Sequence, residues 1–295
     1  MLYNLENEFL NITAHEHGGE LHSIKSKLDN TEFLWNGNPE YWKYHAPILF
    51  PIVGKVRDGK YKVDGKTFEL PQHGLARTSE FTLSNKTDNS ISFKLKYSDE
   101  SLKVYPYKFL LTVTHTLIGK SVKTTYNVKN LDNQKIDFSI GAHPAYMCPI
   151  LENENLSDYY FEFEKKESSP LMMLNTSTGL FTHNTRELLN NETKINLSKE
   201  LFKDDALVFN CSKLNSDIIS VKTDKHNKSI SFDFSGFTHL GLWAPAQGAP
   251  FLCIEPWFGH ADFEDFDDEF KNKPNVINLD VDKEFTCAYT VTINE

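Results

Sequence analysis

A chain of 295 residues that is 39% hydrophobic and 13% aromatic can bury a large core, in one domain or two. Its formal net charge of −10 argues against nucleic acid or an anionic membrane surface as the main partner, since both demand basic patches. A small anionic ligand held by a local arginine cluster stays compatible with that balance.

The 22 Phe and 12 Tyr favour strands over helices. No apolar stretch approaches the length of a membrane span, and Met1–Glu6 shows no basic segment leading into an apolar run, so no secretory leader is expected. Cys148, Cys211, Cys253 and Cys287 are widely spaced and form no C-x-x-C pair. Reduced cysteines in a cytoplasmic protein are the expectation.

In chain order, His15-x-His17 is the first feature with ligand chemistry, but the ligand sets expected for zinc do not surround it, and no metal site is expected. Pro39–His45 reads as a short helix. Asp64-Gly65 joins Tyr61-Lys62-Val63 to Thr67-Phe68 as a hairpin turn. Period-two alternation then dominates: Ile91, Phe93, Leu95, Tyr97; Phe109, Leu111, Val113; Val122, Tyr126, Val128; Ile136, Phe138, Ile140; Phe161, Phe163. Ser198–Phe202 reads as a short helix with Ser198 as its N-cap. Alternation returns at Ile230, Phe232, Phe234 and closes the chain at Phe285, Cys287, Tyr289, Val291, Ile293. One apolar face and one polar face per run is the pattern of antiparallel sheets. No composition shift marks a boundary, so the expectation is one all-β domain over residues 1–295, a large antiparallel β-sandwich.

Several chemical motifs are absent. Ile118-Gly119-Lys120-Ser121 ends like a phosphate loop, but Thr114 stands where the first glycine belongs. There is no G-x-S-x-G nucleophile turn. The acidic run Asp262–Glu269 lacks the glycine of a calcium loop and reads as a solvated loop anchored by Phe263 and Phe266.

What remains is a set of polar residues at strand ends. In Phe251-Leu252-Cys253-Ile254-Glu255-Pro256-Trp257 an unbroken apolar run meets a carboxylate and then a proline. Pro256 has no N–H, so the strand is expected to stop there, leaving Glu255 half desolvated with a raised pKa suited to a general base. Gly141-Ala142-His143-Pro144 repeats the device with a histidine. A strand-end acid–base pair in matched settings points to proton transfer. His73 stands beside Gly74, which lets backbone approach a ligand. Arg57 opens the hairpin, with a guanidinium suited to a polyol or phosphate. Asp205 precedes Ala206-Leu207-Val208-Phe209 and can accept bonds from adjacent hydroxyls.

Taken in order, Arg57 before a D-G hairpin, His73-Gly74, Gly141-Ala142-His143-Pro144, Asp205–Phe209 and Cys253–Trp257 resemble the aldose 1-epimerases, in particular the LacX-like branch of the galactose mutarotase-like superfamily. The likeness runs from His17-Gly18-Gly19-Glu20-Leu21 to the final strand. It implies a β-supersandwich with a cleft across one sheet, Glu255 as general base, His143 as general acid, and His73, Arg57 and Asp205 as sugar-binding residues. It implies a small-molecule sugar as partner and no cofactor. Best-known members carry His-Gly-Gly and Asn-His where this chain has His-Gly-Leu-Ala-Arg and Ala-His-Pro, which bears on the preferred sugar more than on the chemistry.

The branch also includes hexose-6-phosphate epimerases. Lys55, Arg57 and Arg77 are the cations near His73 that could meet a phosphate. Arg77 lies four residues beyond His73, on the same face if the segment is a strand, and could instead pair with Glu80 or Glu69. Two rivals stay open: a non-catalytic sugar-binding protein of the same fold, and a glycoside hydrolase using Glu255 with Asp205.

Overall fold

The alternating runs form strands. In the computed structural model, which describes residues 1–295, they build two large antiparallel sheets. One has nine strands, in the order Glu192–Asn196, Tyr159–Glu167, Ile218–Thr223, Ser229–Asp233, Glu284–Asn294, Ser121–Asn130, Phe109–Ile118, Ser90–Lys96 and Thr82–Lys86. Its strands alternate as the pattern requires: Phe109, Leu111, Val113 and Leu117 turn inward, while Thr112, Thr114 and Thr116 take the other face. The register sets Tyr126 beside Val113 on one side and Cys287 on the other, so the apolar set of each strand stays on one face.

The other sheet runs Leu180–Arg186, Leu171–Asn175, Leu207–Asn210, His239–Trp243, Phe251–Phe258, Ile140–Ala142 and Ile48–Leu49, with Ala145–Met147 also paired to Phe251–Phe258. Both sheets feed one cluster of 63 buried hydrophobic residues. From the central strand Phe251–Phe258 this cluster takes Leu252 and Ile254. Cys253, Glu255 and Trp257 therefore point to the opposite face, away from the shared core. That face carries the site.

Four expectations are corrected. The strand does not stop at Pro256 but continues to Phe258. The segments Ile140–Ala142 and Ala145–Met147 pair with it in a single register, Gly141 with Trp257 and Ala145 with Cys253, and the ladder lapses between them at His143-Pro144. A missing N–H at Pro256 thus costs no bond that the sheet was making there. Pro39–His45 is not helical. Lys199–Phe202 is a 3-10 turn without a side-chain cap from Ser198, whereas the chain's α-helix is Asp99–Val104, capped reciprocally by Ser98 and Ser101. Asp262, placed in a solvated loop by its sequence, is buried and ion-paired to buried Lys273 at 2.7 Å.

The Asp64-Gly65 turn forms as expected, with φ of 48° and 73° joining Lys60–Val63 to Lys66–Glu69. All four cysteines are free, and Cys148, Cys253 and Cys287 are buried. No helix is long and apolar enough to cross a membrane.

Candidate active site

Counting inward from the pairs Gly141–Trp257 and Ala145–Cys253 puts His143 directly opposite Glu255. Side chains opposite each other on neighbouring strands share a face and lie close. Here His143 Nε2 stands 3.3 Å from Glu255 Oε1, with the two side chains 11% and 2% exposed. Burial holds the Glu255 carboxyl well above the ordinary carboxylate range, and the charge of Asp205 adds to the rise. The Trp257 indole pulls the other way, although its N–H makes no hydrogen bond of ordinary geometry. Burial also brings His143 down to about 3. Both directions favour the uncharged forms, a carboxylic acid facing a neutral imidazole.

The pair lies in a cavity of about 470 Å³, within the range of about 300–1,000 Å³ usual for small-molecule sites. Trp42, Trp243 and Trp257 line it. The centroid of the Trp42 ring lies 4.9 Å from that of His143, and that of Trp243, nearly perpendicular to the imidazole, lies 5.6 Å away. Trp257 lies between two glycines on the flanking strands. A Cβ at Gly241 would come within 2.6 Å of its Cζ2, and one at Gly141 within 2.7 Å of its Cδ1. The indole thus occupies space that any other residue at either position would fill.

His73 completes the core of the cleft. It adopts φ of 67°, a strained conformation for a residue with a side chain. Its Nδ1 accepts the Gly54 N–H at 3.1 Å, which places the ring proton on Nε2. Its ring meets that of His143 edge to face at 5.5 Å. Burial first, then His143, Arg77 and Lys55, hold it well below the ordinary histidine range, so it is a neutral donor. Gly74 serves the backbone rather than a ligand, since a Cβ there would come within 2.4 Å of the Phe50 carbonyl oxygen. Asp205 lines the cleft at φ of 78°, its Oδ1 accepting the Ala206 N–H at 2.8 Å. Two strained residues in one cavity mark a place the fold has organised.

Arg77 also lines the cleft, on a 3-10 turn, Ala76–Thr78, and not on a strand. Its guanidinium stacks on Tyr44 at 5.0 Å and donates to the Gln72 carbonyl at 2.8 Å. Neither expected ion pair forms: Glu80 bonds His17 and Glu69 faces Lys60.

Arg57 does not reach the cleft. The turn Arg57–Gly59, with Asp58 at φ of 55°, swings the chain away. The Arg57 guanidinium donates to the Phe266 carbonyl at 3.3 Å in a separate groove with Lys62 and Asp267. Lys55, two residues earlier, lines the cleft instead.

The sequence matches the aldose 1-epimerase family over residues 1–275. The chain belongs to the aldose 1-epimerase family. It is 37% identical over 303 aligned positions to the chromosomal protein LacX of Lactococcus lactis subsp. lactis, covering 99% of both chains, and equally close to the plasmid LacX of that organism. A galactose mutarotase related enzyme from Lactobacillus acidophilus has a similar structure, with a TM-score of 0.95 at 33% identity, over 100% of this chain and 98% of the other. A galactose mutarotase-like protein from Lactobacillus casei superposes with a TM-score of 0.91 at 27% identity, over 99% and 100% of the two chains.

For this aldose 1-epimerase family member, sequence reasoning overlooked the aromatic walls formed by Trp42 and Trp243. Trp42 sits in the stretch read as a helix, and nothing in its local pattern signals a ligand wall. Trp243 ends the apolar strand His239–Trp243 and reads as core. Only proximity to His143, a tertiary fact, distinguishes them.

Proposed function

We propose that the protein interconverts the α and β anomers of an aldohexose by general acid–base ring opening. The observation that supports this reading is the His143–Glu255 pair, 3.3 Å apart in a cavity of sugar-sized dimensions with aromatic walls. Glu255 takes the proton of the anomeric hydroxyl while His143 protonates the ring oxygen, and the C1–O5 bond opens to the aldehyde. Rotation about C1–C2 and reclosure on the other face exchange the roles. Nothing is oxidised and no group leaves, so the chemistry calls for no cofactor. His73 Nε2–H and Asp205 provide a donor and an acceptor for hydroxyls, and the indole of Trp257 offers an apolar face to the sugar ring.

The protonation states fit this cycle. Opening needs a carboxylate and an imidazolium; closing needs a carboxylic acid and a neutral imidazole. Burial favours the second pair of states, with the proton on Glu255. Bound pyranose must draw that proton across to His143, its O1–H stabilising the carboxylate and its ring oxygen the imidazolium. Once the ring has opened, both groups are back in the states that burial favours. Each positioned group typically contributes about 10²–10⁴-fold to the rate.

A phosphorylated hexose is the second reading, because Lys55, Arg77 and Lys203 line the cleft. Two of these cations are already engaged by protein carbonyls, Lys55 with Thr178 at 3.2 Å and Arg77 with Gln72 at 2.8 Å. The neutral sugar is therefore preferred. Polarimetry of freshly dissolved α-glucose, α-galactose and glucose 6-phosphate, with and without the protein, tests the proposal. Measurable sugar binding without acceleration of any anomerisation would make it a binding protein instead.

A further inference from the structure

Glu20, His22 and His45 form a second polar cluster, at the root of the segment that carries Trp42 into the cleft. Glu20 is 4% exposed. Its Oε2 accepts the Ala46 N–H at 2.8 Å. Its Oε1 faces His22 Nε2 at 3.5 Å and His45 Nδ1 at 4.0 Å. A hydrogen bond at ordinary geometry is closer to about 2.9 Å, so neither contact is a good one. Both imidazole nitrogens are shut off from solvent and have no hydrogen-bond partner. Buried polar atoms are normally satisfied, and two such nitrogens facing one carboxylate oxygen without bonding to it ask for an occupant.

We propose that Glu20 Oε1, His22 Nε2 and His45 Nδ1 are the protein ligands of a divalent transition-metal ion, with zinc as the ion that suits the donor set. Two imidazoles and a carboxylate suit a borderline cation, and three protein ligands leave room for water. The three atoms lie within 4.8 Å of one another. Ligand atoms bound at about 2.0–2.2 Å from a tetrahedral ion stand roughly 3.3 Å apart, so modest side-chain rotation closes the set.

The local structure aims these groups. Thr13 pairs with Ser23 and Ala14 with Leu21, which leaves His22 as the extra residue of a β-bulge. A bulge re-aims a side chain and is common beside functional sites. The His22 and His45 rings are stacked, with centroids 3.8 Å apart and planes 12° from parallel. Convergence on one ion therefore requires His45 to tilt out of the stack. Gly37 flanks that ring, and a Cβ there would lie 2.4 Å from His45 Cε1.

The sequence leads to the expectation of no metal, because the ligand sets expected for zinc do not surround its conspicuous pair, His15-x-His17. That pair does not converge: His17 Nδ1 contacts Glu80 at 2.6 Å, and His15 Nδ1 accepts the His17 N–H at 2.8 Å. The proposed site lies outside the chemistry but next to it. The His45 carbonyl accepts the Ala145 N–H at 2.9 Å, and the Pro47 carbonyl accepts that of His143 at 3.0 Å. A bound ion would fasten the segment that holds Trp42 and Tyr44.

Zinc titration of chelator-stripped, full-length protein by calorimetry at neutral pH tests this. The expected result is one zinc per chain, with affinity at least tenfold weaker in Glu20→Gln and in His22→Asn/His45→Asn. Cobalt should give a visible ligand-field band in the parent that both variants lack. Thermal unfolding of metal-free samples checks that the variants fold, and Glu20→Gln stands alone if the double variant does not. The competing cluster is His143, Cys253 and Glu255, whose donor atoms also lie within 4.8 Å. Cys253→Ser/Glu255→Gln should therefore bind zinc as the parent does. Absence of saturable zinc binding, or binding that survives in Glu20→Gln and disappears in Cys253→Ser/Glu255→Gln, would overturn the proposal. None of these readouts depends on anomerase activity, so failure here leaves the proposed function standing.

Discussion

His143 and Glu255 are cross-strand partners, two residues inward from Gly141–Trp257 and two inward from Ala145–Cys253, with Nε2 and Oε1 3.3 Å apart. Each is followed by a proline, and in antiparallel register those prolines fall on opposite sides of the pair. The regular ladder is interrupted there, with the Ile254 N–H still bonded to the Pro144 carbonyl at 3.3 Å, and two polar side chains face one cavity. Glu255 sits within a strand and His143 in a two-residue break held at both ends by strands paired to it, which positions the two more firmly than a free loop would.

Glu255→Gln keeps the shape of the side chain and removes the proton acceptor. The rate of anomerisation should fall by about 10²–10⁴-fold while sugar binding is retained. Turnover within a few-fold of the parent would remove Glu255 from the base role. Stability gives an independent readout. Because the folded-state pKa of Glu255 lies above its unfolded value, its contribution is present below about pH 4.5 and is lost as pH rises towards the folded value. Glutamine does not ionise, so at pH 7 the variant should unfold at the same temperature as the parent or higher. That difference should shrink below pH 4.5.

His143→Asn should lower kcat strongly, whereas His73→Asn should raise KM as well as lower the rate, because His73 donates to substrate without exchanging protons. Steady-state kinetics of both variants decide this. Identical effects on kcat and KM would contradict the division of roles.

Acid should unfold the protein through its buried histidines. His143 and His260 are held down to about 3, and His115 and His239 to about 4, in each case chiefly by burial. A depressed folded-state pKa means that the stabilising contribution is full above the unfolded value, near 6.5, and is lost as pH falls towards the folded one. Each such group is worth about 1.4 kcal/mol per pH unit across that window. The unfolding temperature should therefore drop steeply between pH 6.5 and pH 4. A flat profile over that range would show that these side chains are reached by water.

Gly241→Ala should drive a methyl group into the Trp257 indole, 2.6 Å from Cζ2. Overpacking of this kind costs about 1–3 kcal/mol, and displacement of the ring should also raise KM. In a Trp257→Ala background the same substitution should cost much less, since its collision partner is gone. Chemical denaturation of the four proteins in that cycle measures the coupling. Additive effects would mean that Gly241 acts through its backbone.

The fold was legible because period-two alternation is local: the runs at Phe109–Val113 and Phe285–Ile293 show one face to the core wherever they sit. Glu255 and His143 were legible because each precedes a proline in an apolar setting. The reason inferred was partly mistaken, since neither proline ends the sheet. Arg57 and Lys55 show where local reading fails. Both are cations beside the same hairpin, and only the left-handed turn at Asp58 decides which one faces the cavity. The pairing of His22 with His45 depends on a bulge and on a segment without regular structure, neither of which leaves a periodic trace.

Arg77 distinguishes a neutral sugar from a sugar phosphate. It lines the cleft with Nε shut off from solvent and unpartnered, while Nη2 is bonded to the Gln72 carbonyl at 2.8 Å and the guanidinium plane rests on Tyr44. A phosphate dianion favours a bidentate fork with free donors, and this fork is partly spent on the protein's own backbone. If the substrate is neutral, Arg77→Ala should affect glucose and glucose 6-phosphate alike, through the loss of support for Tyr44 and the His73 segment. If it is phosphorylated, the substitution should raise KM for glucose 6-phosphate far more than for glucose, and added salt should weaken the phosphorylated sugar selectively. The bonded state of the guanidinium favours the first outcome. A KM change of tenfold or more confined to glucose 6-phosphate would reverse the assignment and place the phosphate beside Lys55 and Arg77.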